Sequence, residues 1–246
     1  MTMIQLIGVT RRHGGRPALD AVSLSVAPGE FVALVGPSGS GKTTLLKSVN
    51  RLVEPEEGEV LIDGRDVRDV PPHQLRRGIG YVFQSIGLFP HMNVAENIAI
   101  VSRLTGDSRP GRVAELLEMV ALPTDFAGRM PRQLSGGQAQ RVGVARALAA
   151  GARLMLMDEP FGALDPVTRD GLGRAYRDLH DRLGLTTLMV THDIGEALLL
   201  ADRVVVLIAG RIRADAAPAA LVASDDPDVR AMVEVPRRQA ARLAAL

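Results

Sequence analysis

A glycine-rich stretch with one lysine and two threonines carries the clearest chemistry in this sequence. Its residues are Gly36, Pro37, Ser38, Gly39, Ser40, Gly41, Lys42, Thr43 and Thr44. An apolar, β-prone run precedes it, and a helix-compatible segment follows. In such a strand–loop–helix order, backbone N–H groups and a helix N-terminus bind a polyphosphate. Lys42 can reach the β- and γ-phosphates, and the Thr43 hydroxyl can bind Mg²⁺. The stretch therefore predicts a nucleoside triphosphate site rather than a Gly/Ser-rich surface loop.

Two adjacent carboxylates, Asp158 and Glu159, follow a continuous apolar run at residues 154–157. Such a run is typical of a strand buried on both faces of a parallel sheet. Ligands bind at the carboxyl edge of these sheets. The alternative, two surface carboxylates without a functional role, therefore fits this position poorly. We expect Asp158 to orient Mg²⁺ and Glu159 to polarise a water molecule for attack on a γ-phosphate.

A second candidate anion site follows Leu134 and opens a helical run. It consists of Ser135, Gly136, Gly137 and Gln138. Backbone N–H groups at the start of a helix bind anions, and the Ser135 hydroxyl adds a donor. A turn that only caps the helix is the alternative. The sequence thus predicts two phosphate-recognition elements in one chain.

The remaining pattern predicts the elements that position these residues. We expect strands at residues 3–9, 21–26, 31–35, 60–62, 79–83, 154–157, 186–190 and 203–208. We expect helices at residues 45–50, 112–120, 167–183 and 194–201, with Asn93 as the N-cap of a helix from Val94. A helical subdomain from about 85 to 150 is predicted as an insertion, with a polar loop at residues 106–111.

The composition limits the possible classes of protein. With 246 residues, one α/β domain with an inserted subdomain is expected. The net charge of +1 provides no electrostatic reason to expect a nucleic-acid partner. The absence of cysteine excludes disulfides and thiolate metal sites and suits a reducing cytoplasm. The N-terminus lacks the apolar region of a secretory signal, so none is expected. The apolar runs of the sequence are too short to cross a bilayer.

These motifs occur in the order found in the ATP-binding subunits of ABC transporters, which the sequence resembles over about residues 3–222. The matching parts are the Walker A loop (36–44), the Q-loop glutamine (Gln84), the signature (134–138), the Walker B strand (154–158), the catalytic glutamate (Glu159), the D-loop (163–165) and the switch histidine (His192).

The resemblance implies an α/β P-loop NTPase fold with a parallel core sheet, an N-terminal antiparallel β subdomain and an inserted helical subdomain. The ATP-binding domain would span residues 1–222, and residues 223–246 would form a short C-terminal tail. The resemblance also implies ATP and Mg²⁺ as cofactors. Two copies would pair head to tail, with each ATP between the P-loop of one copy and residues 135–138 of the other.

The resemblance further implies roles for single residues. Glu159 would be the general base or orient the attacking water, and His192 would contact the γ-phosphate. Gln84 would sense Mg²⁺ or that water, so the implied metal-binding residues are Thr43, Gln84 and Asp158. Asp165 of the D-loop would also lie at the nucleotide.

The other histidines are weighed separately. His73, His91 and His180 are expected at the surface. His13 lies near the position at which this family often places an aromatic residue against adenine. Its imidazole can stack there with less ring area, and an exposed loop histidine is an equal alternative.

Residues 83–98 are similar to the part of importer ATPases that receives a coupling helix from the permease. Residues 85–90, 98–101 and 161–170 resemble the glycine betaine, choline and osmoprotectant branch. We therefore expect transmembrane permease subunits as partners, an indirect link to a solute-binding protein, and a position on the cytoplasmic face of the membrane. No regulatory module is expected after residue 222. Another amine or amino-acid importer, or a soluble non-transport ABC ATPase, is the alternative.

Overall fold

The computed structural model describes residues 2–106 and 109–244 of the chain. The strands are β1 (Ile4–His13), β2 (Arg16–Val26), β3 (Phe31–Val35), β4 (Glu57–Ile62), β5 (Arg65–Asp66), β6 (Ile79–Val82), β7 (Leu154–Asp158), β8 (Thr186–Val190), β9 (Arg203–Ile208) and β10 (Arg211–Ala216). The α-helices are α1 (Lys42–Val49), α2 (Pro72–Arg77), α3 (Val94–Thr105), α4 (Arg112–Met119), α5 (Gly136–Leu148), α6 (Pro166–Leu183), α7 (Ile194–Leu200), α8 (Pro218–Val222) and α9 (Pro227–Ala244).

The central sheet has the strand order β10-β9-β3-β8-β7-β6. Its strands are parallel, except that β10 pairs antiparallel with β9 at one edge. Strands β3, β7 and β8 are buried along their whole length. The carboxyl ends of β3, β8, β7 and β6 therefore lie in a row along one edge of the sheet, the edge at which α/β proteins bind ligands.

A second, antiparallel sheet precedes the central one in the chain, with strand order β2-β1-β4-β5. Its apolar side chains share a core with helix α1 and with Val32 and Leu34 of β3. The alternate residues of β3, Phe31 and Ala33, face the other side and pack in a core with helices α3 to α7. This arrangement confirms the predicted α/β class, the parallel core sheet and the N-terminal antiparallel sheet.

Helices α3, α4 and α5 lie between β6 and β7 in the chain. Asn93 caps α3 as predicted, because its side chain accepts the Glu96 N–H (2.9 Å) and the Glu96 side chain accepts the Asn93 N–H (2.8 Å). Ile98, Leu116 and Leu117 are fully buried in the shared core. The division of this region into an inserted subdomain stays a prediction, as does the separation of a tail after residue 222.

Several elements differ from the sequence-based expectation. Strands β1 and β2 both extend to the Gly14–Gly15 turn. Register shifts interrupt the alternation of apolar and polar residues near the turn, and pairing between the two strands keeps these residues in the sheet. Strands β5 and β10 and helix α2 were not predicted, and no helix was assigned to the residues that form α8 and α9. The predicted polar loop at residues 106–111 falls partly outside the described residues, at 107 and 108. None of the helices in the described part of the chain is long and apolar enough to span a membrane.

One expected surface residue is buried. His180 is 1% exposed and lies on the inner face of α6 with Leu172, Tyr176 and Leu179. That expectation was wrong because the helical spacing of these residues places His180 on the apolar face. His73 and His91 are exposed, as expected.

Candidate functional site

The glycine-rich loop connects the end of β3 to the start of α1. Gly36 has a φ of 147°, and a Cβ there would lie 2.0 Å from the Leu207 carbonyl oxygen. Gly41 has a φ of 103°, and its Cβ would lie 2.1 Å from the Ala18 carbonyl oxygen. Only glycine fits these two positions. A Cβ at Gly39 would meet no atom within 4 Å, so the loop backbone is open on that side.

Lys42 begins α1 and is only 7% exposed. Its Nζ donates hydrogen bonds to the carbonyl oxygens of Gly36 (2.8 Å) and Pro37 (2.9 Å). Burial lowers the pKa of Lys42, while the negative charges of Glu159 and Asp158 oppose this shift. The ammonium group thus lies within the loop that the sequence assigns to phosphate binding, among Pro37, Ser38 and Gly39, which are exposed.

Ser40 and Thr44 complete the loop and the first turn of α1. Ser40 is buried, and its Oγ has no hydrogen-bond partner among the described residues. A buried hydroxyl without a partner is costly, so a ligand or water oxygen within reach of Ser40 would satisfy it. Thr44 is half-buried.

Thr43 and Asp158 meet at the end of β7. The Thr43 Oγ1 donates to Asp158 Oδ1 at 3.0 Å, although the residues are 115 positions apart. Asp158 is 7% exposed, and Lys47 Nζ lies 3.9 Å from its other oxygen. The Tyr81 hydroxyl also lies 3.5 Å from that oxygen, and burial with the Asp158 charge raises the pKa of Tyr81.

These oxygen donors fit Mg²⁺, which prefers a few protein oxygens together with phosphate and water. In the described part of the chain, no three His, Asp or Glu side chains cluster as a complete metal site. A metal held by Thr43 and Asp158 would therefore need further ligands from the nucleotide or from Gln84.

Gln84, Glu159 and His192 come together although they lie far apart in the sequence. Gln84 Nε2 donates to Glu159 Oε2 at 2.8 Å. His192 Nδ1 lies 3.3 Å from the same oxygen. Gln84 follows β6, Glu159 follows β7 and His192 follows β8. The strand order therefore brings the predicted Gln84 and His192 side chains to one carboxylate oxygen of Glu159.

The backbone of Glu159 is unusual. Its φ is 46°, a left-handed value that few residues other than glycine adopt. The Glu159 N–H donates to the Val190 carbonyl at 2.9 Å, which ties this residue to β8. Such strain costs on the order of 1–3 kcal/mol and is concentrated at functional sites.

The signature residues begin helix α5 as a capping box. Ser135 Oγ accepts the Gln138 N–H (3.3 Å), and Gln138 Oε1 accepts the Ser135 N–H (2.9 Å). Ser135 and Gly136 are exposed. A Cβ at Gly137 would lie 2.6 Å from Thr168 Cγ2, so α5 approaches α6 too closely for a larger residue. Ser135 and Gln138 therefore do cap helix α5, as the alternative interpretation expected. The start of the helix is nevertheless exposed and accessible to a ligand.

Asp165 caps helix α6, because its Oδ1 accepts the Thr168 N–H at 3.0 Å. This hydrogen bond lowers the pKa of Asp165. His13 lies at the β1–β2 hairpin, opposite Arg16, and is exposed. The nucleotide contacts predicted for Asp165 and His13 stay predictions.

Sequence reasoning missed Lys47 and Tyr81, which both approach Asp158. Lys47 lies four residues after Thr43 on α1, and helical spacing places both on one face. That signal was present in the sequence. Tyr81 reaches Asp158 from the neighbouring strand β6, and strand neighbours are not visible in local sequence.

Comparison with known proteins identifies the family of this chain. A family model described as ABC transporter matches residues 19–162. The choline transport ATP-binding protein OpuBA of Bacillus subtilis is 50% identical over 85% of this chain and 56% of its own length. The glycine betaine/carnitine/choline transport ATP-binding protein OpuCA of the same organism is 49% identical, with the same shares. The sulfate/thiosulfate import ATP-binding protein CysA 2 of Chromobacterium violaceum is 50% identical over 87% of this chain and 58% of its length.

The chain therefore spans little more than half the length of these curated relatives. Among solved structures, a dimeric post-hydrolysis state of the ATP-binding cassette MJ0796 bound to ADP and Pi has a TM-score of 0.77 at 37% identity. That match covers 88% of this chain and 99% of the other. The predicted resemblance is confirmed, and the chain belongs to the ABC transporter family.

Proposed function

We propose that this chain is the ATP-hydrolysing subunit of an importer and that it powers uptake of glycine betaine, choline or a related osmoprotectant. The observation that carries the ATPase proposal is the convergence of Gln84 and His192 on the Glu159 carboxylate, next in sequence to the Asp158–Thr43 pair. A carboxylate oriented by two side chains at the carboxyl edge of the sheet is suited to position a water molecule.

Each part of the site has a separate task in this proposal. The loop from Gly36 to Thr44 would hold the phosphates, with Lys42 as the charged donor. Mg²⁺, held by Thr43, Asp158 and Gln84, would neutralise phosphate charge when bound. Glu159 would accept a hydrogen bond from the attacking water.

His192 would link the water-orienting carboxylate to the phosphate. Its Nδ1 lies 3.3 Å from Glu159 Oε2. With nucleotide bound, its ring would contact a γ-phosphate oxygen.

A second copy of the chain would complete each nucleotide site. Ser135 and Gly136 are exposed at the start of α5, where backbone N–H groups and the helix dipole favour an anion. In the proposed homodimer, residues 135–138 of one copy contact the nucleotide bound to the P-loop of the other. The dimeric state of the similar cassette MJ0796 supports this arrangement.

Residues 83–98 would receive the permease. Phe83 and Phe89 are exposed, at 43% and 39%. The fully buried Asn97 holds the segment, because its Oδ1 accepts the Phe89 N–H at 2.8 Å. Arg146 donates to the carbonyls of Ile86 (2.7 Å) and Gly87 (2.6 Å). An ordered segment with exposed aromatic rings is suited to dock a helix.

Through the permease, the chain would sit on the cytoplasmic face of the membrane and act indirectly with a solute-binding protein. No nucleic-acid partner is proposed. The similarity of residues 83–98 to importer ATPases favours a transporter subunit over a soluble, non-transport ATPase.

The solute is the finer part of the proposal. The OpuBA and OpuCA names and the residues at 85–90, 98–101 and 161–170 favour an osmoprotectant. CysA 2, whose name assigns sulfate and thiosulfate, has the same degree of identity. Another importer is therefore the second candidate, since overall identity does not distinguish the solutes.

Uptake of labelled glycine betaine tests the proposal in cells that carry this chain with its neighbouring permease genes. Wild-type cells are expected to accumulate the label, and the Glu159→Gln variant to fall to background because a neutral amide is a far weaker base for the attacking water than a carboxylate. The matched control is Glu118→Gln, a change at an exposed glutamate. Equal uptake by the wild type and Glu159→Gln would refute the role of Glu159. No uptake by the wild type would remove the osmoprotectant assignment, and labelled sulfate would be tested next.

A further inference from the structure

Arg169 lies on α6 between two loops that carry proposed catalytic residues. The first loop, residues 159–165, connects β7 to α6 and begins with Glu159. The second, residues 191–193, connects β8 to α7 and contains His192. These two ranges are called the glutamate loop and the histidine loop below.

The guanidinium of Arg169 bonds to both loops. Its Nη2 donates to the Leu164 carbonyl (3.0 Å) and the Gly162 carbonyl (3.4 Å) of the glutamate loop. Its Nη1 donates to Asp193 Oδ2 (3.4 Å) of the histidine loop. A planar guanidinium can hold two partners in fixed directions at once, whereas a lysine ammonium acts as a point charge.

Both loops are anchored elsewhere by elements close to the site. Asp193 Oδ1 accepts the Glu196 N–H (3.2 Å), which fixes the histidine loop to α7. The Gly162 N–H donates to the Glu159 carbonyl (3.2 Å), which closes a turn at the start of the glutamate loop. Movement of either loop relative to the other would therefore move a proposed catalytic residue.

The loops touch at the catalytic pair itself. A Cβ at Gly162 would lie 3.4 Å from His192 Cε1. His192 Nδ1 lies 3.3 Å from Glu159 Oε2. Arg169 bonds to Gly162 on one loop and to Asp193, next to His192, on the other, so its contacts can set the separation of the two side chains.

Arg169 also borders an open cleft of about 390 Å³ between α6 and α7, lined in part by Asp193, Glu196 and Leu200. Among the described residues, the buried Arg169 Nε has no hydrogen-bond partner. Burial raises the pKa of Glu196, and the charge of Arg169 opposes this shift. The bonds of Arg169 therefore add a polar connection between the two loops, beside the apolar packing of α6 on α7.

We propose that Arg169 is a positioning residue that holds the His192 imidazole against the Glu159 carboxylate by bonding to both loops. This inference rests on the proposed ATPase function. Arg169 itself would not contact the nucleotide.

The Arg169→Met variant keeps the length of the side chain and removes its donors. The rate of ATP hydrolysis at saturation, kcat, is expected to fall about tenfold, because small misplacements of catalytic groups have effects of this size or larger. KM and the affinity for ATP are expected to stay within about twofold of the wild type, since the P-loop is unchanged. The Arg169→Lys variant should behave in the same way, because one ammonium cannot keep both loops in the same directions.

Arg174→Met is the matched control. Arg174 lies on the same helix, lines the same cavity and pairs with Asp170 on the surface, with its side chain 72% exposed. Its removal is expected to leave kcat at the wild-type value. Melting temperatures of all variants are measured alongside, and the Lys variant carries the test if the Met variant does not fold.

A double-mutant cycle with His192→Ala separates positioning from general destabilisation. If Arg169 acts by placing His192, Arg169→Met should cause no further loss of kcat in the His192→Ala background. The same tenfold loss in both backgrounds, or an unchanged kcat in the single variant, would overturn the inference. A wild-type chain that hydrolyses no ATP would instead refute the proposed function.

Discussion

At the scale of single residues, the site combines buried charges with hydrogen bonds that keep them in place. Lys42 is an example, because its ammonium is buried yet bonds to two carbonyls of its own loop. Glu159 is only partly buried, and its carboxylate accepts from Gln84 and lies beside His192. These bonds orient the charges before any ligand arrives, which is what electrostatic catalysis requires.

Replacement of Lys42 by alanine is expected to weaken nucleotide binding by at least about 100-fold, since a charge-assisted hydrogen bond to phosphate contributes about 3 kcal/mol. Titration with a fluorescent ATP analogue measures this affinity. Because the change also removes two bonds within the loop, the melting temperature is recorded as a control. An affinity equal to that of the wild type would contradict the phosphate-binding interpretation of the loop.

At the scale of elements, helix α5 shows how one helix start can serve two purposes. Ser135 and Gln138 satisfy each other's backbone N–H groups, which stabilises the helix. Ser135 and Gly136 nevertheless stay exposed. The same short segment can therefore cap its own helix and present donors to a second copy of the chain.

The Ser135→Arg variant is expected to bind ATP normally but to fail to dimerise, because a large cation would fill the surface offered to the partner copy. Light scattering with ATP measures the dimer, in a Glu159→Gln background that slows hydrolysis. The lost cap alone costs about 1 kcal/mol, so Asn93→Ala, which removes the equivalent cap of α3, is the control. Normal ATP-dependent dimerisation by Ser135→Arg would count against the head-to-tail arrangement.

At the scale of the whole molecule, a buried polar network connects α6 to the central sheet. His180 Nδ1 lies 2.9 Å from Thr187 Oγ1, and its Nε2 lies 3.2 Å from the Gly29 carbonyl. That carbonyl can only accept, so Nε2 carries the proton and Nδ1 accepts from Thr187. The Thr187 oxygen in turn lies 2.8 Å from the Tyr176 hydroxyl, which donates to it. The network suits a neutral imidazole.

Burial lowers the pKa of His180, and the nearby Arg177 charge lowers it further. The unfolded chain therefore binds this proton more tightly than the native chain does. The neutral ring contributes its full stability above its ordinary pKa of about 6.5, and this contribution decreases as the pH falls towards the lower native pKa.

Below pH 6.5, we expect the free energy of unfolding of the wild type to decrease more steeply with falling pH than that of His180→Gln. The difference between the two slopes is expected to reach up to about 1.4 kcal/mol per pH unit. Urea titrations between pH 5 and pH 8 measure the difference. His73→Gln, a change at an exposed histidine, should keep the wild-type profile. Parallel curves for the wild type and His180→Gln would show that His180 does not titrate in the way described.

Much of the site was accessible from sequence because its chemistry is local. The loop at 36–44, the acids at 158–159 and the cap at 135–138 depend on short spacings and on the strand or helix beside them. The helical spacing that buries His180 was equally present in α6, and attention to it would have corrected the expectation of a surface residue. By contrast, the extent of β1 and β2 depended on pairing between strands.

The sequence by itself determined the residue types, their order and their places at the ends of strands, since hydrophobic runs and turn residues are local signals. Only the tertiary structure decided that β3, β8, β7 and β6 lie side by side, so that Gln84, His192 and Glu159 meet at one oxygen. It also decided that Arg169 bridges two loops. Buried parallel strands have similar local patterns, and their neighbours follow from packing across the whole chain.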